Sequence, residues 1–514
     1  NIAESHCCAR VTQDGLGDPL DMLLALPGDE RPVVVENGRV YLPYLYTAEV
    51  ETAEHLSRLL RTGQSFSAVP EEGPLNGLPA DIDYTPEQMT AIRDAFQEPV
   101  SIVTGGPGTG KSTILRGVVS VAGAYDLSVV LMAPTGKASN RMEECTGQEA
   151  ATIHRTLGFD PMFQDFLYDA DHPIEADLVV IDEASMLDIW LADKAIRAVR
   201  SGAHLVFVGD VDQLPSVGPG AVLSDLISSG VIPTTVLNQI FRQAAGSKIA
   251  LAAQAINAGR FPVFDDKPPG EIFFFRLPED TSTQAIGDWV VDVVAERIPD
   301  SLGFAPEEIQ VLSPQKRTPA GTRTLNRRLQ ELLNPSSGKK AELKVGHSVF
   351  REGDAVIHTR NNYALGVFNG ETGRAVKVRK DDKPLIVDYG DVREYAREDL
   401  IDLELAYALT IHKSQGSEFP VVVIPMTKAH YIMLARNLLY TAVSRAEQCV
   451  VIVGSEKAMR MAIANDKALD RATLLRERLL VALGKQEVLD KESKSQPPSA
   501  KAKGLTMDSA SISD

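Results

Sequence analysis

Short, nearly unbroken apolar runs recur along the chain from residue 85 onward. The clearest cover residues 101–104, 128–133, 178–182, 204–209, 309–313, 421–425 and 449–454. Strands of a parallel sheet, which helices cover on both faces, have this pattern, whereas half-exposed strands alternate between apolar and polar residues. The two groups of runs, separated by a long middle section, predict an α/β protein with two lobes.

Three sections depart from this pattern. Near the start, Asn37-Gly38 is a hairpin turn signal and residues 47–60 have helical periodicity, which predicts a small α+β domain. Between residues 341 and 403, short alternating strands and turn signals predict a small β-barrel inserted in the second lobe. Residues 485–514 carry few large apolar groups and are expected to form a disordered tail.

These patterns divide the chain into consecutive units. The predicted boundaries are 1–80 for the N-terminal domain, 81–235 for the first lobe, 236–340 and 404–484 for the two parts of the second lobe, 341–403 for the barrel and 485–514 for the tail.

Composition limits the classes of protein that the chain can represent. Its 514 residues exceed one hydrophobic core, and a formal net charge of −18 argues against coating nucleic acid by bulk charge, although a local basic groove remains compatible. The four cysteines lack metal-ligand spacing, and no apolar run approaches the ~20 residues that span a bilayer. A cytoplasmic protein is therefore expected, without a membrane partner. Because the sequence starts at Asn1, it is expected to be a fragment or a processed product.

The most specific motif is residues 105–112, which fit the pattern G-x-x-x-x-G-K-S/T. An apolar run precedes it and a helix-compatible segment follows it. Glycines let the backbone wrap a triphosphate, and the helix N-terminus favours the anion. Lys111 supplies charge to the β- and γ-phosphates and Ser112 supplies a hydroxyl to Mg²⁺.

Two further polar groups follow predicted strands. Asp182 and Glu183 end the run at 178–182, where Asp182 is expected to hold Mg²⁺ and Glu183 to orient and deprotonate the attacking water. Gln213 follows the run at 204–209 and is expected to contact the γ-phosphate. The three positions together predict an ATP-hydrolysing site.

With these motifs in order, the chain resembles superfamily-one helicases over about residues 80–470, and within them the RecD-like branch. The segments that carry the resemblance are 85–88, 133–138, 151–158, 237–243, 407–418 and 439–446. The resemblance implies two RecA-like P-loop NTPase lobes with an SH3-like barrel insertion. It also implies an ATP-dependent DNA helicase that moves 5′ to 3′ on single-stranded DNA, of the stand-alone type rather than the RecD subunit of the recombination complex.

The resemblance also implies roles for individual residues. The catalytic set is Lys111, Asp182, Glu183, Gln213 and two arginines from the second lobe, Arg242 and Arg445. The ATP-binding set is Gln88, which would read the base, with Gly106, Gly108, Thr109, Gly110, Lys111, Ser112 and Thr113. The expected metal ligands are Ser112 and Asp182, and the expected DNA-binding set is Thr135, Lys137, His154, Thr410, His412 and Lys413.

The aromatic-rich segment at 159–176 occupies the place of the duplex-splitting hairpin of RecD-like helicases, and we interpret it as a strand-separating pin. The expected partners are single-stranded DNA and duplex junctions, with a protein partner possible through the N-terminal domain or the C-terminal tail. Two alternatives stay open. One is a motor subunit active only within a recombination, repair or conjugation complex, and the other is a P-loop enzyme such as a small-molecule kinase, which leaves Arg242 and Arg445 without a task.

Overall fold

Strands and helices alternate through most of the chain. A computed structural model describes residues 6–10, 33–36, 38–239, 247–338, 340–362, 364–466 and 471–489. The strands are β1 (Cys8–Arg10), β2 (Val34–Glu36), β3 (Arg39–Tyr41), β4 (Val100–Gly105), β5 (Val129–Ala133), β6 (Ala150–Thr152), β7 (Phe159–Asp160), β8 (Asp165–Phe166), β9 (Leu178–Ile181), β10 (His204–Gly209), β11 (Thr234–Leu237), β12 (Ile272–Arg276), β13 (Ile309–Ser313), β14 (Glu342–Val345), β15 (Ser348–Arg351), β16 (Ala355–His358), β17 (Thr372–Val378), β18 (Leu385–Asp388), β19 (Val392–Tyr395), β20 (Leu403–Leu405), β21 (Ala408–Thr410), β22 (Phe419–Met426) and β23 (Ala446–Gly454).

The α-helices are α1 (Pro43–Thr62), α2 (Pro86–Gln97), α3 (Lys111–Ala124), α4 (Gly136–Thr146), α5 (Ile153–Thr156), α6 (Ile189–Arg197), α7 (Val222–Ser229), α8 (Lys248–Asn257), α9 (Thr283–Asp292), α10 (Ile298–Leu302), α11 (Thr322–Leu333), α12 (Arg436–Val443), α13 (Glu456–Ala464) and α14 (Leu475–Ala482). A π-helical turn, Val293–Arg297, joins α9 to α10. Among the described helices, none is both long and apolar enough to cross a bilayer.

The first lobe is built on a six-stranded sheet of order β11-β4-β10-β9-β5-β6 in which all pairings are parallel. Its central strands β4, β9 and β10 are buried along their whole length. Successive side chains of a strand point to opposite faces. Accordingly Val179 and Ile181 join the apolar core on one face, while Leu178 and Val180 join the core on the other.

The second lobe has its own parallel sheet, of order β12-β23-β22-β13-β21. Between α11 and β21 the chain leaves this lobe and forms the antiparallel pair β14-β15 and the antiparallel sheet β19-β18-β17-β16-β20. These strands enclose a separate small core that includes Phe350, Val387 and Tyr395. The predicted α/β class, with two parallel lobes and an antiparallel insertion in the second, is confirmed.

The two ends of the described chain meet on the first lobe. Strands β1-β3-β2 and helix α1 share one core with the first-lobe sheet, so residues 1–80, expected to form a separate domain, have no core of their own in the described part. The span 404–484, expected to lie in the second lobe, ends in α14, which packs on α1 and α7 instead. Residues 486–489 of the expected tail form a helical turn, and 490–514 lie outside the described residues.

Candidate functional site

The loop between β4 and α3 has the conformation of a phosphate cradle. Gly108 and Gly110 have φ angles of 71° and 87°, in the left-handed region that glycine tolerates. A Cβ added to Gly106 would lie 2.9 Å from the Tyr440 hydroxyl, so a larger residue here would require the Tyr440 side chain to shift. The Lys111 Nζ donates to the carbonyls of Gly105 and Gly106 at 2.6 and 3.1 Å, which fixes the charge inside the loop.

Asp182 and Glu183 follow β9 at the same edge of the sheet. The Glu183 backbone N–H donates to Asp182 Oδ1 at 2.8 Å, and Glu183 has a φ of 50°. Burial, and then the neighbouring Glu183 carboxylate, raise the pKa of Asp182 to about 7, against the opposing charges of Lys111 and Arg141. A cation would favour the ionised form. Ser112 and Asp182 line one cavity, and such a sparse donor set suits Mg²⁺, which proteins bind through one or two carboxylates plus substrate phosphates.

A cleft of about 520 Å³ separates the lobes, and both contribute to its lining. The lining includes Gly106, Gly108, Thr109, Gly110, Lys111, Ser112, Thr113, Asp182, Glu183 and Gln213 from the first lobe and Gly416, Glu418, Ser444 and Arg445 from the second. The structure thus brings together all sequence-predicted catalytic residues that it describes. Arg242 lies outside the described residues.

Arg445 enters the cleft from the end of α12. It is 3 % exposed, and its guanidinium donates to the Ser417 carbonyl at 3.3 Å and to Ser444 Oγ at 3.2 Å. Its Nε is buried without a hydrogen-bond partner in the described part of the chain. Arg445 therefore brings a positive charge to the lining of the cleft, with one donor that no described residue uses.

Gln88 lies on the first turn of α2 and does not line the cleft. Its Oε1 accepts from the Thr85 backbone N–H at 3.1 Å in a capping box. Its Nε2 is buried and, among the described residues, has no partner. The amide donor therefore remains available, while the side chain also starts the helix.

Sequence analysis gave no role to three charged residues of the cleft, Arg141, Glu418 and Glu447. Arg141 lines the cavity and forms an ion pair with Glu418 of the second lobe at 2.7 Å. Arg141 lies one helical turn beyond Lys137 on α4, and helix residues four apart share a face. That spacing relates Arg141 only to Lys137, which does not line the cavity, so no pattern along the chain indicates its place in the cleft.

The first-lobe candidates for DNA binding, Thr135 and Lys137, approach second-lobe residues at the start of α4. Thr135 caps this helix by accepting from the Ala138 backbone N–H, and a Cβ on Gly416 would lie 3.2 Å from the Thr135 hydroxyl. The Lys137 ammonium lies 5.5 Å from the ring centroid of Phe419. Burial lowers the pKa of Lys137 to about 8, against the attraction of Glu371.

On the second lobe, Thr410 is the last residue of β21, and His412 and Lys413 follow that strand in sequence. Thr410 is buried and begins a 3₁₀ turn, Ile411–Ser414. Burial lowers the pKa of His412, so its imidazole is neutral near pH 7. Lys413 forms an ion pair with Glu404 at 2.7 Å.

His154 lies under the two-stranded hairpin β7-β8. Its ring contacts Phe159, Phe166 and Trp190, with centroids 5.4, 5.7 and 6.4 Å away. Burial lowers its pKa. Beyond this aromatic base the hairpin tip exposes Met162 and Phe163, at 85 and 76 %. His154 thus supports the hairpin, a contact that its position in the sequence did not indicate.

Two parallel-sheet lobes around a shared P-loop cleft define a P-loop NTPase of the helicase type. Three family models match the chain: an AAA domain over residues 88–219, the ATP-dependent RecD-like DNA helicase SH3 domain over 325–389, and the UvrD-like helicase C-terminal domain over 405–453.

Two curated relatives extend this similarity. The ATP-dependent RecD2 DNA helicase of Deinococcus radiodurans is 36 % identical over 449 residues, which cover 86 % of this chain and 59 % of the relative. The RecBCD enzyme subunit RecD of Mycobacterium tuberculosis is 32 % identical over 501 residues, covering 90 and 85 %. The chain belongs to the RecD-like family of DNA helicases.

A solved structure described as two coordinating Pif1 helicases at forked DNA aligns with 79 % of this chain and 98 % of its own, with a TM-score of 0.47 and 19 % identity. Among the relatives, the chain is thus similar both to a RecD2 DNA helicase and to a RecBCD enzyme subunit, and it spans about three fifths of the Deinococcus relative's length.

Proposed function

We propose that this chain is an ATP-dependent motor that moves 5′ to 3′ on single-stranded DNA and unwinds duplex ahead of it. The observation that carries the proposal is the cleft in which the P-loop and acids of one lobe face Arg445 of the other. An arginine supplied from a second element is worth orders of magnitude in phosphoryl transfer, so the cleft hydrolyses ATP efficiently only when the lobes engage.

The chemistry of the cleft is ATP hydrolysis. The oxygen of a water molecule bonds to the γ-phosphorus, the bond to the bridging oxygen breaks, and ADP leaves with that electron pair. Glu183 accepts the proton of the water and passes it to solvent. Lys111 exchanges its bonds to the P-loop carbonyls for β- and γ-phosphate oxygens, and Arg445 stabilises charge on the transferring group. Mg²⁺, held through Ser112 and Asp182, would neutralise phosphate charge when bound.

The candidate DNA path runs where the lobes approach at Thr135 and Gly416. Lys137 on the first lobe and Lys413 on the second would contact phosphates, with Thr135, Thr410 and His412 beside them. Cleft closure and opening would change the distance between these two sets, which moves the strand. The exposed tip of the β7-β8 hairpin would meet the duplex, and we assign it the role of the pin.

ATP turnover with and without single-stranded DNA tests this proposal. We expect strong stimulation by DNA, loss of turnover in Lys111→Ala, and no change in Lys457→Ala, which removes an exposed lysine on α13. Duplexes with a 5′ or a 3′ single-stranded tail then test polarity, and unwinding only from the 5′ tail is expected. Turnover that ignores DNA would contradict the motor.

The second candidate is a motor subunit that works only inside a complex, as the similarity to a RecBCD enzyme subunit suggests. This reading predicts weak turnover and no unwinding by the purified chain. We also propose a cytoplasmic location, because the four cysteines are all free thiols, as in a reducing compartment.

A further inference from the structure

A chain of hydrogen bonds joins the two lobes beside the P-loop. The Tyr440 hydroxyl, on α12 of the second lobe, donates to Asp210 Oδ2 at 2.8 Å. The Gln213 Nε2 donates to the same oxygen at 3.1 Å. Tyr440, Asp210 and Gln213 are only 3, 1 and 4 % exposed. Water competes little for these bonds, so they hold the three side chains in one arrangement.

This arrangement determines which end of the Gln213 amide faces Asp210. Asp210 accepts from Tyr440, from Gln213 and, through Oδ1, from the Asp212 backbone N–H at 3.1 Å, as an ionised carboxylate does. The NH₂ group of Gln213 must therefore face Asp210, which leaves Oε1 as the free end. That oxygen is buried and has no hydrogen-bond partner among the residues described, although Gln213 lines the ATP cleft.

The second lobe holds this segment at further points. The Leu214 backbone N–H donates to Thr441 Oγ1 at 2.9 Å, and Gln415 Nε2 donates to the Leu214 carbonyl at 2.8 Å. Tyr440 and Thr441 belong to α12, the helix that leads directly to Arg445. The element that delivers the arginine therefore also holds the segment that carries Gln213.

We propose that Tyr440 is a positioning residue which, through Asp210, orients Gln213 so that its Oε1 accepts a hydrogen bond from the attacking water. This inference rests on the proposed ATP hydrolysis and names the atom that aligns the water whose proton Glu183 takes. A glutamine that aligns the attacking water is an established device in nucleotide hydrolysis. Here its orientation depends on a hydroxyl from the opposite lobe, so hydrolysis requires that the lobes are docked.

The substitution Tyr440→Phe removes one hydroxyl and keeps the ring. We expect kcat for ATP to fall about 10- to 100-fold, because small misplacement of a catalytic group costs up to about 10²-fold, while KM changes less than about twofold. The matched control is Tyr46→Phe, which removes a tyrosine–carboxylate bond to Glu36 outside the cleft and should leave both constants unchanged. An unchanged kcat in Tyr440→Phe would overturn the inference.

A double-mutant cycle separates this role from a general loss of packing. If Tyr440 acts through Gln213, the variant with both Tyr440→Phe and Gln213→Ala has the kcat of Gln213→Ala alone. If the kcat losses of the two single variants multiply in the double variant, Tyr440 acts independently of Gln213. That result would overturn the proposed relay from Tyr440 through Asp210 to Gln213. If Tyr440→Phe misfolds, Asp210→Asn is used in its place. An asparagine can offer a donor, which would let the Gln213 amide rotate so that Oε1 faces position 210.

A binding measurement does not depend on turnover. ADP with aluminium fluoride and Mg²⁺ imitates the transferring phosphoryl group, and ADP alone does not. We expect Tyr440→Phe and Gln213→Ala to weaken binding of the aluminium fluoride complex about tenfold or more and to leave ADP affinity unchanged. Equal loss for both nucleotides would overturn the relay. A wild-type chain that binds the complex tightly but hydrolyses no ATP would contradict the proposed function. The relay would still be tested by the affinities of the variants for the aluminium fluoride complex and for ADP.

Discussion

At the scale of single residues, burial sets the titration of the lysine near the start of α4. The pKa of Lys137 is lowered to about 8, first by burial, with Glu371 opposing that effect. Lys137 is therefore charged below about pH 8 and neutral above it. If Lys137 binds a DNA phosphate, affinity for single-stranded DNA should fall about tenfold between pH 7 and pH 9.5, the effect of losing one charge-assisted hydrogen bond.

Fluorescence anisotropy of a labelled oligonucleotide at constant salt measures this fall. Lys137→Arg is the control, because an arginine keeps its charge over the whole range. Its affinity should stay nearly constant with pH. If the arginine variant shows the same fall as the wild type, another group causes the pH dependence.

Individual site residues differ in how far the sequence reveals them. Lys111, Asp182 and Glu183 follow strands at fixed motif positions, and the cleft contains all three. Arg141 and Tyr440 belong to no spacing pattern along the chain, because their partners Glu418 and Asp210 lie on the opposite lobe. Only the tertiary structure brings such pairs together.

At the scale of elements, the β7-β8 hairpin has a packed base and an exposed tip. Its two-residue register pairs Phe159 with Phe166 above His154, and the apolar tip residues Met162 and Phe163 touch little of the protein. Changing both tip residues to serine should therefore alter folding stability by less than about 0.5 kcal/mol. If the hairpin is the pin, duplex unwinding should be lost while DNA-stimulated ATP turnover persists.

Strand displacement and ATP turnover, measured on the same preparations, test this prediction. A double variant with Val263→Ser and Val481→Ser removes two exposed apolar side chains elsewhere, at 84 and 53 %, and should unwind normally. Normal unwinding by the tip variant would show that the hairpin is a structural clasp.

Whole elements are predictable where a clear apolar run or helical periodicity marks them. The predicted run at 204–209 matches β10, and the helix expected at 47–60 lies within α1. The edge strands β6, β11, β12 and β21 were not predicted. Strands β6, β11 and β21 are three or four residues long and hold few large apolar residues, whereas β12 does carry an apolar run, Ile-Phe-Phe-Phe, that sequence analysis did not include.

At the scale of the whole molecule, the last described segment ties the end of the second lobe back to the first. The Arg471 guanidinium donates to the carbonyls of Gly218 and Gly220, both at 2.7 Å, in the loop that follows Gln213. Further on, Arg478 pairs with Glu36 at 2.6 Å and lies over the Tyr46 ring. These partners are more than 240 residues apart in sequence, so no local pattern predicts the contact.

The helix α14 offers a matched pair of substitutions that tests how much this attachment contributes. Leu479 is completely buried in the core that α14 shares with α1, whereas Val481, on the same helix, is 53 % exposed. Leu479→Ala should lower the free energy of unfolding by about 2–4 kcal/mol because it removes buried methyl groups and leaves a cavity, and Val481→Ala should lower it by less than about 0.5 kcal/mol.

Hydrogen exchange measures the loss locally: amides of α1 and α14 should exchange faster in Leu479→Ala, while those of the second-lobe sheet keep their protection. Equal exchange in the two variants would show that α14 adds nothing to the stability of the first lobe. Faster exchange throughout both lobes would instead show that the C-terminal attachment holds the two lobes as one cooperative unit.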